Sequence, residues 1–458
     1  MLFKSVSASL CAVGLARALV LPSSIRSNYA VKERHNAPSE WVEVGKPHKD
    51  EVIHLQIGLK QQNEGAIESH LLEISDPKHA RYGQHMTTEE IREITAPADE
   101  TVELVNAWLA EHGVGSAVRS PGKDWISIVV TVEKAEQLLQ TKYSKFEHSI
   151  DGTTISRTPE WSLPIHLHEH IDVVQPTNSF FRPHANTASP LLDNGAALQE
   201  WWAFEGKAKY DALEADLRAP INAVCNISFT TQHCLRQLYG TINYTPQVPD
   251  QNAIGICSYL NQTSVRSDVR SYLQNFRPAA VDAASSFDII NLANANNDQG
   301  PLTPAQIAVA KNIEADLDAE LVIGISYPTP MTAFQTGGEP PFKPDLLTPT
   351  DTNEPYLTFL NYALAQDGLP QVISTSYGDD EQTVPPSYAQ KVCSGFAQLG
   401  ARGISVLFSS GDSGVGPAHK CKSNDGKNTR TFLPIFPGGC PWVTTVGGTK
   451  GFSPEVAV

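Results

Sequence analysis

The spacing of hydrophobic residues changes partway along the chain and predicts two structural units. In the first unit, residues 52–59 and 125–132 alternate between hydrophobic and polar positions, as half-buried strands do. Helical spacing follows each strand, at 64–74 and 133–141. This alternation is typical of a small antiparallel sheet with helices on one face, an α+β, ferredoxin-like unit.

From about residue 221 the pattern becomes that of a parallel sheet. Apolar runs at 253–259, 371–376 and 404–409 are separated by helical segments, which indicates the α/β class with helices on both faces of the sheet. The last two runs end in polar residues, 377–380 and 410–412, which we expect to form turns. Open α/β sheets bind their ligands at such carboxyl ends of strands.

The composition fits two folded domains joined by a linker. The chain has 458 residues, of which 41% are hydrophobic and 18% charged, enough to bury at least two cores. Clusters of Ser, Pro, Asn and Gly at 186–220 predict an exposed linker. The formal net charge of −16 argues against a nucleic-acid partner, because binding to a phosphate backbone needs clustered Lys and Arg.

The N-terminus has the pattern of a secretory signal peptide. Lys4 precedes a short apolar stretch at 5–15, and Ala16-Arg17-Ala18 provides a small-x-small cleavage site. We expect residues 1–18 to be removed. The apolar stretch is too short to span a bilayer, so we expect a secreted, extracellular protein with no membrane partner.

An exported protein can form disulfides and carry N-glycans. Six cysteines remain after removal of the signal peptide, an even number. Cys225 with Cys234, and Cys421 with Cys440, would close short loops, whereas sequence leaves Cys257 and Cys393 unassigned. Glycosylation sequons at exposed positions are predicted for three asparagines: Asn226, Asn243 and Asn261.

A predicted helix places two carboxylates within an apolar stripe. Thr303 and Gln306 form a capping-box pattern that starts the helix, which we expect to end near Gly324. At about 100° per residue, Glu314 and Asp318 fall on one face among apolar residues, with Asp316 opposite. Neighbouring Lys311 is the residue that would neutralise the pair if its role were structural. Because buried like charges repel, the alternative is a pair that shares a proton and acts as a base, as His and Asp do in a serine triad.

A third carboxylate, Asp412, lies in a Ser-Gly-Asp-Ser-Gly segment at the end of an apolar run. In its protonated form an aspartate can donate a hydrogen bond to a developing oxyanion. Carboxylates titrate near pH 4 to 5 unless perturbed. The three acidic residues therefore predict a peptidase that works in acid.

Four segments of the chain resemble the sedolisins, or serine-carboxyl peptidases, of the secreted fungal tripeptidyl-peptidase type. They lie at 314–318, 372–380, 403–414 and 436–449. The first unit resembles the activation peptide of the same family, with landmarks at 58–61, 75–83 and 174–177. The resemblance covers nearly all of residues 40–458.

This resemblance implies a subtilisin-like parallel sheet flanked by helices at 221–458, preceded by a removable activation prodomain at 19–185. It further implies a zymogen whose prodomain is an intramolecular inhibitor until acidification. The expected reaction is hydrolysis of peptide or protein substrates, with release of tripeptides from their N-termini. The sequence does not distinguish this from endopeptidase action.

The resemblance also assigns roles by position. Glu314 would be the general base, Asp318 its orienting partner and Asp412 a residue of the oxyanion hole. The segment Ser376-Tyr377-Gly378 would line the substrate cleft. Ser413 follows Asp412 but is not at the nucleophile position of the family.

The chain departs from the family in two respects. It lacks the Gly-Thr-Ser motif that holds the family's nucleophile, and it lacks the family's aspartate-rich calcium site, which would lie beyond Val458. We therefore expect a peptidase domain that is incomplete at its C-terminus, no calcium ligands in this chain, and no peptide hydrolysis by this exact chain.

Two other functions are compatible with the sequence. One is a catalytically inactive truncated product whose prodomain inhibits a full-length relative. The other is a zinc-dependent hydrolase, because His166, His168 and His170 cluster around Glu169 and histidine is a common zinc ligand. The cluster is not the helical H-E-x-x-H arrangement and precedes a prodomain landmark, so zinc catalysis is the weaker alternative.

Overall fold

The computed structural model describes residues 28–115, 117–149, 152–182, 184–185, 207–208, 220–226, 230–308, 311–337, 355–412, 414–415 and 421–458. The predicted signal peptide, most of the predicted linker and Ser413 lie outside the described residues. No helix within these ranges is long and apolar enough to cross a membrane.

Residues 28–182, here called the N-terminal unit, form antiparallel sheets packed against helices. The strands are β1 (Tyr29–Arg34), β2 (Trp41–Gly45), β3 (Val52–Leu59), β4 (Ala117–Arg119), β5 (Trp125–Thr131), β6 (Ser144–His148), β7 (Thr154–Arg157), β8 (Glu160–Pro164) and β9 (Ile171–Gln175). The helices are α1 (Ala66–Ser75), α2 (Thr88–Thr95), α3 (Asp99–Glu111) and α4 (Val132–Leu139), with a 3-10 turn at Ile165–Leu167.

The main sheet of this unit has the order β4-β5-β3-β9, antiparallel throughout. With α3 and α4 as connections, this is the β-α-β-β-α-β order of a ferredoxin-like fold. The buried face of β3, including Leu55 and Ile57, packs on Leu104 and Trp108 of α3. The α+β prediction and the limits of β3 are confirmed.

Residues 220–458, here called the C-terminal unit, contain a parallel sheet. The strands that follow the N-terminal unit are β10 (His184–Ala185), β11 (Ile254–Ser258), β12 (Asp288–Leu292), β13 (Met331–Thr336), β14 (Val372–Thr375), β15 (Tyr377–Asp380), β16 (Ser405–Ser409), β17 (Ile435–Phe436), β18 (Thr444–Val446), β19 (Thr449–Lys450) and β20 (Val456–Ala457). The helices are α5 (Ile221–Val224), α6 (Gln232–Leu238), α7 (Arg266–Phe276), α8 (Ala283–Ser286), α9 (Pro304–Ala308), α10 (Ile313–Ser326), α11 (Pro355–Ala363) and α12 (Pro386–Ala401), with 3-10 turns at Pro249–Gln251, Pro278–Ala280 and Glu381–Thr383.

Within the described ranges, the central sheet has six parallel strands in the order β12-β13-β11-β14-β16-β18. Alternate residues point to opposite faces, so Ile256 and Ala333 pack on Ala319 and Ile323 of α10. On the opposite face, Phe408 packs on Phe396 of α12. The predicted α/β architecture is confirmed, and α10 and α12 lie on opposite sides of the sheet.

The N-terminal unit contacts α12 along its length. Lys391 of α12 has a side chain only 8% exposed. Its Nζ donates to the carbonyl of Leu59 (2.7 Å) and to Asp172 Oδ2 (3.3 Å). At the end of the helix, the N–H of Met86 donates to the carbonyl of Ala401 (2.9 Å). A buried charge is tolerated only with such partners, so this interface is a specific one.

Two local predictions are wrong. The helix predicted from Thr303 does begin with the expected capping box, Gln306 N–H to Thr303 Oγ1 at 3.3 Å, but the chain turns at Asn312, with φ 68°. A new helix, α10, begins at Ile313 and runs to Ser326, beyond Gly324. Residues 377–380, expected to be a turn, form strand β15.

One predicted disulfide is confirmed and the other is wrong. Cys225 is bonded to Cys234, whereas Cys440 is bonded to Cys393, with a Cα–Cα distance of 5.3 Å, and not to Cys421. Cys257 and Cys421 are free thiols. Proximity in sequence favours Cys421 as the partner of Cys440, but α12 brings Cys393 to the same place in the fold.

We expect the Cys393–Cys440 bond to stabilise the C-terminal unit substantially. Its removal by Cys393→Ala with Cys440→Ala should cost about 4 kcal/mol, since the bond closes a loop of 47 residues. Cys421→Ala should change stability by less than about 0.5 kcal/mol. Urea unfolding of both variants measures this. A large loss with Cys421→Ala alone would instead support the pairing that the sequence suggested.

Candidate active site

The first two turns of α10 carry the carboxylate pair, Glu314 in the first and Asp318 in the second, and a loop after β11 holds the first turn in place. The amide oxygen of Gln262 accepts the N–H groups of Glu314 (3.1 Å) and Ala315 (3.2 Å). Asn312 Oδ1 accepts the N–H of Thr263 (3.0 Å). The two Gln262 contacts satisfy N–H groups that a helix start leaves without intrahelical partners. The backbone beneath Glu314 is therefore fixed by tertiary contacts.

Glu314 and Asp318 lie one turn apart, and the hydroxyl of Ser376 joins them. Glu314 is only 2% exposed. The Ser376 hydroxyl donates to Asp318 Oδ1 at 2.8 Å and also favours the charged form of Glu314. The second oxygens, Oε2 of Glu314 and Oδ2 of Asp318, are buried and accept no hydrogen bond from the described residues. The pair is thus enclosed, with one shared hydroxyl partner.

Burial makes both carboxyls hard to ionise. Burial, with the neighbouring Asp318 and then Asp412 as smaller causes, raises the pKa of Glu314 to about 8. Burial raises the pKa of Asp318 to about 7, and the Ser376 hydroxyl opposes this. Two adjacent carboxyls of this kind share protons as one unit. The pair can therefore take up or release a proton without a histidine.

Asp412 reaches the same region from a different strand. It follows β16, whose carboxyl end lies beside those of β14 and β18, and its charge contributes to the raised pKa of Glu314. Asp412 is exposed. The structure therefore brings together three of the sequence-predicted residues, Glu314, Asp318 and Asp412, at the carboxyl edge of the sheet, where α/β folds form their sites.

The segment 376–378 presents its backbone, and not the ring of Tyr377, to a partner strand. The Tyr377 side chain is 1% exposed and packs edge-on against Tyr259, with ring centroids 5.2 Å apart. A Cβ at Gly378 would lie 2.7 Å from side-chain carbons of Ile435, so glycine allows β15 to approach β17. The opposite edge of β15 pairs antiparallel with β10, His184 opposite Gly378.

The chain leaving the N-terminal unit therefore runs along the edge of β15 toward Ser376. The Phe180 N–H donates to the Thr383 carbonyl (2.9 Å), and the Arg182 N–H donates to Asp379 Oδ2 (2.9 Å). Burial raises the pKa of Asp379 to about 7, although the N–H groups of Arg182 and Asp380 favour its charged form. Sequence patterns gave no sign of this contact, because the acceptors are backbone groups and an aspartate predicted to lie in a turn.

Two further carboxyls of α10 face away from the pair. Asp316 Oδ1 accepts the N–H of Val265 (2.6 Å) ahead of α7, and burial raises its pKa to about 7. Burial raises the pKa of Glu320 to about 8, with Asp316 and Asp268 as smaller causes. Asp316 does point away from the pair, as predicted, but it is engaged with α7 and is not solvated.

The histidine cluster considered for zinc is spread over different partners. His168 Nε2 lies 3.2 Å from the carbonyl oxygens of Ala30 and Leu163, and His170 Nδ1 lies 2.8 Å from Thr101 Oγ1. In the described part of the chain, no group of three or more His, Cys, Asp or Glu side chains is placed to hold a metal ion. The geometry gives no support to zinc catalysis.

Val458 lies at the surface of the C-terminal unit. It is 80% exposed, and its N–H donates to the carbonyl of Gly448 (3.2 Å). The nearest carboxylate in sequence, that of Glu455, accepts the hydroxyls of Tyr239 (2.7 Å) and Thr449 (2.6 Å) through Oε1. The carboxylate at this end of the C-terminal unit is thus engaged with hydroxyl groups. The calcium site that the resemblance places beyond Val458 stays a prediction.

Comparison with known proteins agrees with the peptidase interpretation. Residues 39–180 match the family model of the pro-kumamolisin activation domain. Tripeptidyl-peptidase SED4 of Arthroderma otae is 36% identical over 442 residues, 95% of this chain and 68% of the relative. Tripeptidyl-peptidase SED2 of the same species is 36% identical over 446 residues, 95% of this chain and 70% of the relative.

The chain belongs to the sedolisin family and is by family a serine-type peptidase with an activation domain. A probable tripeptidyl-peptidase SED4 of Arthroderma benhamiae is also 35% identical over 456 residues, 98% of this chain and 70% of the relative. Among solved structures, the epidermin leader peptide processing serine protease of Staphylococcus aureus matches with a TM-score of 0.40 at 11% identity, covering 87% of this chain and 71% of that one.

Proposed function

We propose that this chain carries the proton-transfer half of a secreted, acid-acting tripeptidyl-peptidase with a subtilisin-like sheet. The observation that supports this most is the enclosed Glu314–Asp318 pair beside Asp412 at the carboxyl edge of the sheet. The names of the relatives, tripeptidyl-peptidases SED2 and SED4, support the substrate class. The predicted signal at 1–18 supports secretion.

In the proposed reaction, the active form has released the segment that follows the N-terminal unit, and water that reaches the pair lowers the raised pKa of Glu314 so that this carboxyl is ionised. Glu314 then takes the proton of a serine hydroxyl as that oxygen attacks the peptide carbonyl carbon. Asp318 shares the proton and stabilises the protonated pair. The carbonyl oxygen becomes an oxyanion, to which protonated Asp412 donates a hydrogen bond. When the C–N bond breaks, the proton on Glu314 passes to the leaving amine. The 458-residue sequence contains no Gly-Thr-Ser motif, so the attacking serine is not assigned to any of these residues.

The N-terminal unit is the proposed intramolecular inhibitor. The segment that follows this unit, His184–Ala185 (β10), here called the trailing segment, pairs antiparallel with one edge of β15. An extended peptide substrate would pair with the backbone of residues 377–378 at the same edge. A substrate cannot use that edge until the segment leaves. The same edge is therefore proposed as the substrate-binding strand, with tripeptide release set by how far the cleft extends beyond the substrate N-terminus.

The test compares this chain with the chain extended by the C-terminal part of SED4 of Arthroderma otae. We expect the extended chain, after acid treatment, to release a tripeptide reporter with a free N-terminus at about pH 4 and to leave an N-acetylated reporter intact. The chain alone should release neither. Cleavage of the acetylated reporter would contradict tripeptidyl action, and activity of the chain alone would contradict the assignment of the nucleophile to a Gly-Thr-Ser serine.

A further inference from the structure

We propose that protonation of His35 loosens the contact between the two units in acid. His35 is then a pH-sensitive latch, meaning a side chain that helps to hold the trailing segment on β15 only while it is neutral. The inference rests on the proposed function for its purpose, because a latch regulates only a site that the segment covers. What the latch itself changes is the equilibrium between the closed contact and the separated units, and this can be measured without peptide hydrolysis.

His35 lies at the junction of the units, directly after β1. It is 9% exposed, and its N–H donates to the carbonyl of Pro159 (2.8 Å). Its ring lies 6.3 Å from that of Phe180, the residue whose own N–H bonds to Thr383 of the C-terminal unit. The imidazole also faces the backbone of Thr383. His35 is therefore buried by the contact through which the trailing segment is held.

The imidazole has no carboxylate partner among the described residues to stabilise a positive charge. Its Nε2 is buried and makes no hydrogen bond with them. Glu33, the closest carboxylate in sequence, instead accepts the N–H of Ser387 (3.3 Å) and the amide of Asn178 (3.1 Å). The charged residues on the segments around the ring are Lys32, Glu33, Arg34, Arg157, Arg182, Asp380, Glu381 and Lys422.

Burial lowers the pKa of His35 to about 4 from its ordinary 6.5, with the Thr383 backbone opposing the shift. When the units separate, the ring reaches water and regains its ordinary pKa. The open form therefore binds a proton first as the pH falls. The contribution of His35 to the stability of the contact is fully present above about pH 6.5 and is lost between about pH 6.5 and pH 4. Over this range, protonation of His35 increases the opening constant by up to about 300-fold.

Two nearby carboxyls act in the opposite direction. Asp379 accepts the Arg182 N–H, and burial raises the pKa of Asp379 and of Asp380 to about 7. Both are protonated in acid, which favours burial and hence the closed contact. The net pH dependence therefore includes all three groups, and only a substitution at position 35 isolates the latch.

The test is hydrogen exchange at two amides that cross the interface to backbone carbonyls, Phe180 and Met86. We expect the opening constant of the intact chain, divided by that of His35→Gln, which cannot be charged, to rise at least about tenfold between about pH 7 and pH 4. This ratio removes the intrinsic pH dependence of exchange and the contributions of Asp379 and Asp380. The control His48→Gln changes a histidine whose side chain is 76% exposed and should follow the intact chain at every pH.

The same pH dependence of the opening constant in His35→Gln and in the intact chain would overturn the proposal. If His35→Gln does not fold, the His35 ring is titrated by NMR in the intact chain. A midpoint below about 5.5 supports the latch, and a midpoint near about 6.5 with both amides still protected overturns it. These readouts need no peptide hydrolysis, so they fail or succeed independently of the reporter assay.

Discussion

Glu314→Gln should abolish peptidase activity of the extended chain, lowering kcat by about 10³-fold or more. Glutamine keeps the size of the side chain but cannot take the proton of the attacking hydroxyl. The matched variant Glu320→Gln tests whether loss of any buried carboxyl on this helix is enough to reduce kcat. It makes the same change on the same helix, at another carboxyl whose pKa is raised to about 8. We expect Glu320→Gln to retain kcat within about threefold.

Measurement of kcat and KM for both variants at about pH 4 checks this. A loss confined to KM would indicate that Glu314 binds substrate and does not transfer a proton. Equal losses in the two variants would mean that the helix tolerates no such change, and the assignment of the base would then have no support.

Stability should fall as the pH rises from about 4.5 to about 8. Among the described residues, six carboxyls have a pKa raised to about 7 or 8, chiefly by burial: Glu314, Asp316, Asp318, Glu320, Asp379 and Asp380. Below about pH 4 these groups are protonated in the folded state and largely so in the unfolded chain. As the pH rises, the unfolded chain ionises first, so the folded state loses stability until the raised pKa values are passed.

Because the carboxyls share protons, we expect a total loss on the order of 5 kcal/mol, or roughly 10 °C in the unfolding midpoint. Thermal unfolding from about pH 4 to about pH 8 measures it. Glu314→Gln should reduce the decrease of the unfolding midpoint with pH, because it removes one such group. Glu64→Gln, at a side chain 81% exposed, should leave that decrease unchanged. A midpoint that rises with pH would show that these carboxyls are ionised and paired in the fold.

The carboxylate pair was predictable, but its setting was not. The i,i+4 spacing of Glu314 and Asp318 holds for any helix, so a wrong helix start did not disturb it. The start is wrong because Asn312 adopts a left-handed conformation that is compensated by the N–H of Thr263, 49 residues away in sequence. Local capping rules contain no information about such a partner.

Long-range pairing also explains the two other failures. Asp379 and Asp380 are poor strand formers, yet β15 forms because β17 pairs with one of its edges and β10 with the other. Cys440 bonds to Cys393 because α12 packs near residues 435–440. The sheet and the ferredoxin-like unit were predictable because their hydrophobic periodicity is local and continues over whole elements.

In the intact chain we expect Glu314 and Asp318 to form a coupled pair that still holds a proton at neutral pH. The most direct test is ¹³C NMR titration of the side-chain carboxyls in the intact chain, with Glu314→Gln used to assign the Glu314 resonance. We predict that the resonance lost in Glu314→Gln titrates near about pH 8 and that the Asp318 resonance shifts in the same variant. A Glu314 resonance with a midpoint near about 4.5 would show that this carboxyl ionises as in water and that no such pair exists.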